Sequence, residues 1–339
     1  MAENSKIQWT GNTWNPWQGC RKVSPGCKFC YMYRDKERFK QDPTVVVRSK
    51  PTTFTKPLTW HEPGLVFTCS WSDWFISEAD EWRPEAWDII RQTPHLLYQI
   101  LTKRPERIAA NLPPDWGDGY KNVWLGVSAE NQATFNERVP ILADIPAHVR
   151  FLSIEPLLEP IRFADVMRSG ASKYPFDKIG WVIVGGESGN DTGRYRYRPC
   201  NIEWMEVIVN SCRSLDVPAF VKQMGTAIAK ERRMVDHHGG DIDEFPLTLQ
   251  IRQFPRAYGL DTALHYMNKK NDGMKKRILK FLQYPGAIVA LVTYTLLILF
   301  GIVGRKHDQR VKEWFMRSIP YTSAAAWLVI VYYVVRWLW

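Results

Sequence analysis

Short apolar runs alternate with amphipathic stretches through the first 258 residues of the chain. Continuous apolar strands that alternate with helices indicate a parallel sheet buried on both faces. The pattern therefore predicts an α/β fold, either a complete or partial (β/α) barrel or a doubly wound open sheet. The predicted strands are Leu65–Ser70, Leu97–Thr102, Val123–Ser128, Arg150–Ile154, Trp181–Gly185 and Ala219–Lys222, and the predicted helices are Pro84–Arg91, Pro105–Asn111, Gln132–Ala143 and Ile202–Ser214.

Polar or charged side chains follow every one of these apolar runs. The carboxyl ends of parallel strands meet at one edge of an α/β sheet, where active sites lie. A single such residue is explained as a helix cap, but six sets in series predict a shared concave site. In chain order the sets are Ser70 with Asp73, Lys103 with Arg104, Ser128 with Glu130 and Asn131, Glu155, Gly186 with Glu187 and Ser188, and Lys222 with Gln223.

The C-terminal region has a different pattern. Residues 285–304 contain no charge over twenty positions, and residues 318–339 form a second apolar stretch that ends among Trp and Arg side chains. We expect a two-helix transmembrane hairpin with spans at about 285–304 and 318–339, joined by a basic linker, residues 259–284, to a body of residues 1–258. A buried hairpin in a soluble protein is the alternative.

The positive charge of the chain is concentrated in this tail. From residue 260 onward there are 12 Lys and Arg against 4 Asp and Glu, whereas the first 259 residues contain 33 and 31. Basic residues beside apolar spans are typical of membrane-flanking charge. The body is almost neutral, so charge gives no support for nucleic-acid binding there.

Three cysteines fall close together as CRKVSPGCKFC, with the spacing C-x6-C-x2-C at Cys20, Cys27 and Cys30. The N-terminus MAENSKIQWT lacks the features of a signal peptide, so we expect a reducing cytosolic compartment, where clustered cysteines indicate metal binding. Three thiolates suit a [4Fe–4S] cluster with one open iron. A zinc site completed by Cys200 or His61, and unligated thiols, are the alternatives.

The segment Cys27–Cys30 resembles the second half of the radical SAM signature, from which the six-residue first gap departs. IQWTGNTWNPWQGC, KVSPGCKFCY, LTKRP, GVSAEN, GGESG and VKQMG together resemble a phage and bacterial family of three-cysteine-motif proteins. That family has no assigned reaction, is related to radical SAM enzymes and is similar in outline to spore photoproduct lyase. The resemblance covers about residues 7–256 and implies a (β/α) barrel of radical SAM type.

The resemblance also implies a set of roles for residues of this chain. Cys20, Cys27 and Cys30 would hold a [4Fe–4S] cluster whose open iron binds S-adenosylmethionine. One-electron reduction would then release a 5′-deoxyadenosyl radical. Ser70 and Asp73 would bind the methionine amino group, Ser128, Glu130 and Asn131 the ribose, and Gly185 and Gly186 would approach the cofactor, while Glu155, Glu187 and Lys222 would contact substrate or carboxylate groups. An ion-pair network is the alternative for those three.

Three functions remain open at this point. The first is a membrane-anchored radical SAM enzyme with its 1–258 domain in the cytoplasm, which needs an electron donor and acts on an unknown substrate, a nucleic-acid base being one candidate by analogy. The second is a non-catalytic metal-binding protein of a phage or antiphage system, with a three-cysteine-motif protein as a partner. The third is a zinc-dependent nucleic-acid-binding module.

Overall fold

A computed structural model of the chain describes residue 3 and residues 5–164 and 175–256. All of these residues belong to one unit of the chain, Met1–Ala263. The predicted linker and both predicted membrane spans lie outside the described residues. In the part of the chain that the structure describes, no helix has the length and apolarity needed to cross a membrane.

The described residues build a curled half-barrel around one parallel sheet. Seven strands pair in the order β1-β4-β5-β6-β7-β8-β9, and every pair is parallel. The order follows the chain without reversal, whereas a doubly wound sheet reverses at a switch point. The partial-barrel alternative is therefore the observed one. The seven strands are β1 Asn12–Trp14, β4 Gly64–Thr68, β5 Leu96–Thr102, β6 Val123–Ser128, β7 Val149–Ile154, β8 Trp181–Gly185 and β9 Ala219–Gln223.

A small antiparallel pair of strands lies outside this sheet and directly precedes the segment that contains the three cysteines. Strand β2, Trp17–Gln18, pairs with β3, Val47–Arg48. Immediately after β2, the Gly19 N–H donates to the Trp71 carbonyl at 3.0 Å, and the Cys20 N–H donates to the Pro43 carbonyl at 3.0 Å. These two backbone hydrogen bonds fix the position of the chain at Cys20.

Helices cover the outside of the sheet and connect its strands. The three long helices, α3 (Arg83–Gln92), α4 (Gln132–Asp144) and α5 (Ile202–Ser214), each bury one face, as expected for helices that pack on a sheet. The connection from β5 to β6 instead contains two 3₁₀ turns, Pro105–Arg107 and Ala109–Asn111. The helices are α1 Tyr31–Arg38, α2 Pro51–Phe54, α3 Arg83–Gln92, α4 Gln132–Asp144, α5 Ile202–Ser214 and α6 Thr226–Glu231.

The six predicted strands are confirmed to within two residues at each end. Three of the four predicted helices are also confirmed, and the prediction of one helix over Pro105–Asn111 is wrong because two 3₁₀ turns form there. The sequence pattern missed strand β1, whose three residues are too few to display an alternation. It also missed helix α1, which directly follows Cys30.

Aromatic side chains fill the core beneath the first strands. Trp14, Trp17 and Trp74 are fully buried, and the ring centroids of Trp17 and Trp74 lie 5.0 Å apart. The Trp14 Nε1–H donates to the Phe54 carbonyl at 3.0 Å, and the Trp17 Nε1–H donates to the Asp73 carbonyl at 3.0 Å. The buried indoles of Trp14 and Trp17 thus have hydrogen-bond partners, whereas the buried Trp74 Nε1–H has none among the described residues.

Candidate functional site

A cavity of about 440 Å³ opens at the carboxyl edge of the half-barrel. The strand ends of β4 to β9 all contribute to its lining, together with the segment that carries the three cysteines. The site therefore has the location that parallel α/β sheets give to ligands. Its polar lining from the strand ends is Ser70, Asp73, Thr102, Lys103, Arg104, Ser128, Ser153, Glu155, Glu187, Ser188, Lys222 and Gln223.

Residues 20–30, here called the cysteine loop, form one wall of this cavity. Cys20, Cys27 and Cys30 all line it. The loop contains a 3₁₀ turn, Pro25–Cys27, and ends where Cys30 becomes the residue before helix α1. Cys27 contributes, after burial, to the raised pKa of both Cys20 and Cys30. The wide gap in C-x6-C-x2-C is thus compatible with one thiol cluster.

Glu130 holds the turn of the cysteine loop from below. Its side chain is fully buried; Oε1 accepts from the Gly26 N–H at 3.0 Å, and Oε2 accepts from Arg138 Nη1 at 3.1 Å. A Cβ atom at position 26 would lie 2.9 Å from Glu130 Cδ, so the turn approaches this closely because residue 26 is glycine. Burial by itself would raise the pKa of Glu130, but Lys103, Arg138 and hydrogen bonds from Ser24 and Gly26 lower it below its usual value.

Arg104 links the loop to the end of strand β5. Its Nη1 lies 3.0 Å from Asp73 Oδ2 and 3.9 Å from Cys20 Sγ, and its Nη2 donates to the Arg21 carbonyl at 2.9 Å. Asp73 also accepts from the Thr102 hydroxyl at 2.6 Å and from the Lys103 N–H at 2.9 Å. Both Asp73 oxygens are therefore occupied by neighbouring protein groups.

Arg198 attaches the loop to the GGE segment after strand β8. Its guanidinium forms a two-point ion pair with Glu187, with Nη2 2.5 Å from Oε1 and Nε 2.8 Å from Oε2. The same side chain donates from Nη1 to the Pro25 carbonyl at 3.0 Å and lies over the Phe29 ring. Glu187 is thus bound to an arginine that reaches the cysteine loop.

Glu155 and Lys222 form an ion pair on the far side of the cavity. Lys222 Nζ lies 3.2 Å from Glu155 Oε1, and the Ser153 hydroxyl donates to Oε2 at 3.3 Å. A Cβ atom at position 185 would lie 2.6 Å from Glu155 Oε1, so Gly185 leaves the space that this carboxylate occupies. The pair joins the ends of strands β7 and β9 and faces the cavity.

The structure brings most of the predicted site residues to this cavity, but not all of them. Ten line it: the three cysteines, Ser70, Asp73, Ser128, Glu155, Gly186, Glu187 and Lys222. Glu130, Asn131 and Gly185 are outside the lining. The Asn131 side chain accepts from the Thr134 N–H at 2.9 Å and forms the capping box of helix α4, which is the structural role that asparagine has at helix starts.

Sequence reasoning gave no role to several residues that shape the site. Lys103 and Arg104 were visible only as polar residues after a strand, and the partners of Arg104 on the cysteine loop lie more than 80 positions earlier. Arg198 lies in the segment RYRYRP, whose arginines gave no signal to separate one from another. The polar end of a strand was the only sequence signal available for this set.

Burial favours the protonated form of two of the three thiols, those of Cys20 and Cys30. Burial, followed by the charge of Asp73, raises the pKa of Cys20 to about 12, and burial raises the pKa of Cys30. Across the described residues, no group of three or more Cys, His, Asp or Glu side chains has the geometry to hold a metal ion. Neither Cys200 nor His61 lines the cavity.

These features define the class: an α/β half-barrel protein with a cysteine-lined cavity at the carboxyl edge of its parallel sheet. Comparison with known families places the chain more closely. It belongs to the family described as protein of unknown function (DUF5131), whose model matches residues 4–279. No curated protein and no solved structure matches the chain.

Proposed function

We propose that the chain is a radical SAM enzyme, with a [4Fe–4S] cluster on the cysteine loop and S-adenosylmethionine in the adjoining cavity. One observation carries the proposal. Three cysteines of a single loop line the same cavity as the polar carboxyl ends of six parallel strands. That combination provides thiolate ligands and an enclosed space for a small-molecule ligand beside them.

The donor set and the cavity fit such a group. In a cluster the cysteines bind different iron atoms, so three thiolates need not converge on one point as they do around a single ion. The cavity volume of about 440 Å³ lies in the range that small-molecule sites occupy. With the cluster bound, cleavage of S-adenosylmethionine would supply a 5′-deoxyadenosyl radical that abstracts hydrogen from a substrate.

In this proposal the cysteine loop binds the cluster, and residues at the strand ends bind the cofactor and the substrate. Cys20, Cys27 and Cys30 supply the ligands, and Glu130 holds the loop that presents them. Ser70 and Ser128 line the cavity and are our candidates for contacts to the cofactor. The Glu155–Lys222 pair offers one negative and one positive group to a substrate. The aromatic side chains that line the cavity would limit the access of water to a bound cofactor.

The substrate class stays open within this proposal, and the resemblance to spore photoproduct lyase makes a nucleic-acid base one candidate. An external electron donor is required, since reductive cleavage consumes one electron. A non-catalytic metal-binding role, with a three-cysteine-motif protein as partner, is the alternative that the same cysteines support. A zinc-dependent nucleic-acid-binding module is the remaining one.

The experiment starts from the full chain purified without oxygen. Iron and sulfide content, the visible spectrum and the EPR spectrum after reduction report the cluster, and dithionite with S-adenosylmethionine tests release of 5′-deoxyadenosine. We expect about four irons per chain and release of the nucleoside. Cys27→Ser should lose iron and activity, whereas Cys200→Ser, a free cysteine outside the cavity, should keep both.

Each contrary result has a definite meaning. A colourless protein that contains one zinc per chain removes the radical SAM proposal and leaves the zinc-binding module. An iron–sulfur protein that neither binds nor cleaves S-adenosylmethionine leaves the non-catalytic role. Loss of iron in Cys200→Ser would place the ligand set outside the cysteine loop.

We propose further that residues 285–304 and 318–339 anchor the protein in a membrane, with the 1–258 domain in the cytoplasm. The support is the two apolar stretches and the basic residues beside them. Cell fractionation of the full chain and of residues 1–258 tests this. Membrane recovery of the full chain alone is expected, and recovery of the full chain in the soluble fraction would remove the proposal.

A further inference from the structure

Lys103 is a cation in the cavity that lacks a direct partner. Its side chain is half-buried and lines the cavity, and among the described residues its ammonium forms no hydrogen bond or ion pair. It acts on Glu130 only through space, since both oxygens of that carboxylate are already engaged by Gly26 and Arg138. The ammonium is therefore available to a ligand.

The rest of the charged lining makes Lys103 exceptional. The other charged side chains that line the cavity each have a protein partner within 4 Å or a hydrogen bond to one. The pairs are Asp73 with Arg104, Glu155 with Lys222, Glu187 with Arg198, and Arg21 with Glu78, while Lys22 donates to the Lys28 carbonyl. Lys103 has neither a counter-charge in contact nor a hydrogen-bond acceptor among the described residues, and such a cation attracts an anionic group from outside the protein.

The cavity mouth supplies a second recognition element. Phe29, Tyr31 and Trp71 line it and are partly exposed, Tyr31 by 43%. The Tyr31 hydroxyl donates to the Ser70 carbonyl, which fixes the ring at the edge of the sheet. The Phe29 ring already packs against Arg198 and Lys28, but the rings of Tyr31 and Trp71 in the same cavity offer a stacking surface to a planar heterocycle.

From these two features we infer that the cavity binds a ligand that combines a planar ring with an anionic oxygen group, and that Lys103 contacts the anionic group. A carboxylate and a phosphate share this chemistry. The carboxylate would belong to a methionine-derived cofactor, and the phosphate to a nucleotide substrate. The inference concerns the same cavity as the proposed function but requires no metal.

Matched ligand pairs test the inference on the full chain by calorimetry. S-adenosylhomocysteine carries a carboxylate that 5′-methylthioadenosine lacks, and AMP carries a phosphate that adenosine lacks. Lys103→Met should weaken the anionic member of at least one pair by about tenfold to a hundredfold, the range for a charged hydrogen bond, and leave the neutral member unchanged. Lys28→Met is the control, because this exposed lysine lies on the same loop but does not line the cavity.

The affected pair identifies the source of the anion: a loss confined to S-adenosylhomocysteine assigns a carboxylate, and a loss confined to AMP assigns a phosphate. Equal affinities of wild type and Lys103→Met for all four ligands overturn the inference, as does an equal loss in Lys28→Met. Iron content of the same preparation separates the two proposals. Ligand binding that depends on Lys103 in a protein without iron supports this inference and contradicts the proposed cluster. Cleavage of S-adenosylmethionine that Lys103→Met leaves unchanged supports the cluster and contradicts this inference.

Discussion

The contact between Glu130 and Gly26 gives the sharpest prediction, because two roles for Glu130 predict different results. The sequence suggested a cofactor ribose as the partner of Glu130. In the structure, the two oxygens of Glu130 instead accept hydrogen bonds from the Gly26 N–H at 3.0 Å and from Arg138 Nη1 at 3.1 Å. The substitution Glu130→Gln keeps the shape of the side chain and removes its charge.

The expected cost follows from burial. Glu130 is fully buried and the Arg138 side chain is 3% exposed, so the substitution leaves a buried guanidinium without its counter-charge. Removal of one partner from such a pair costs about 3–5 kcal/mol. For a domain of this size, that loss corresponds to a fall in the unfolding temperature of roughly 6–20 °C. The amide oxygen of glutamine accepts from one of the two donors and leaves the other unsatisfied.

A matched control uses the same chemical change at the surface. Glu85 pairs with Arg48 at 2.5 Å, but 49% of the Glu85 side chain and 38% of the Arg48 side chain are exposed. Glu85→Gln should therefore cost about 1 kcal/mol or less. Thermal and urea unfolding of both variants, followed by tryptophan fluorescence, measures the difference.

The same variants test the loop. If the loop binds the proposed cluster and Glu130 holds the cysteine turn, Glu130→Gln should lower the iron retained per chain as well as the stability. Gly26→Ala, whose Cβ meets Glu130 Cδ at 2.9 Å, should produce the same defect from the opposite side of the contact. A Glu130→Gln protein that is as stable as Glu85→Gln, yet binds S-adenosylmethionine more weakly, would refute this reasoning and restore the ribose role.

Three further predictions concern the other anchors and the helix cap. Arg104→Lys keeps a positive charge beside Asp73 but loses the planar guanidinium that also bonds to the cysteine loop. The iron bound per chain should therefore fall while the circular dichroism spectrum stays unchanged, and an unaltered iron content would contradict this. Arg198→Ala removes the ion pair to Glu187 and should speed proteolysis of the cysteine loop, with an unchanged cleavage rate as the contrary result. Asn131→Ala should cost about 1 kcal/mol of stability through loss of the cap and leave ligand affinity intact; weaker binding at unchanged stability would restore its ribose role.

The sequence pattern was sufficient for the sheet because its strands are buried on both faces. Val123–Ser128 and Trp181–Gly185 are buried at every position, so each appears as an uninterrupted apolar run. Strand β1 has only three residues, of which Asn12 is half-buried and two are polar, so it forms no apolar run. Length and composition together determined which strands were visible.

The hydrogen-bond partners of the polar residues could not be predicted from the sequence, for a different reason. A carboxylate at a strand end is equally suited to a ligand, a helix cap or a distant backbone N–H. Glu130 bonds to a residue 104 positions earlier, and Arg198 to one 173 positions earlier. No local pattern encodes such pairings, which exist only after the sheet has brought its ends to the cysteine loop.

The backbone contacts of the six residues between Cys20 and Cys27 give the wide first gap a structural role. Three of them carry the backbone atoms by which the sheet edge holds the loop: the Arg21 carbonyl, the Pro25 carbonyl and the Gly26 N–H. A three-residue gap, as in the signature that this segment resembles, offers half as many backbone groups to such anchors. The departure from that spacing therefore coincides with the contacts that position Cys20 and Cys27 over the cavity. This argues that the extra residues serve attachment of the loop rather than a different chemistry of its thiols.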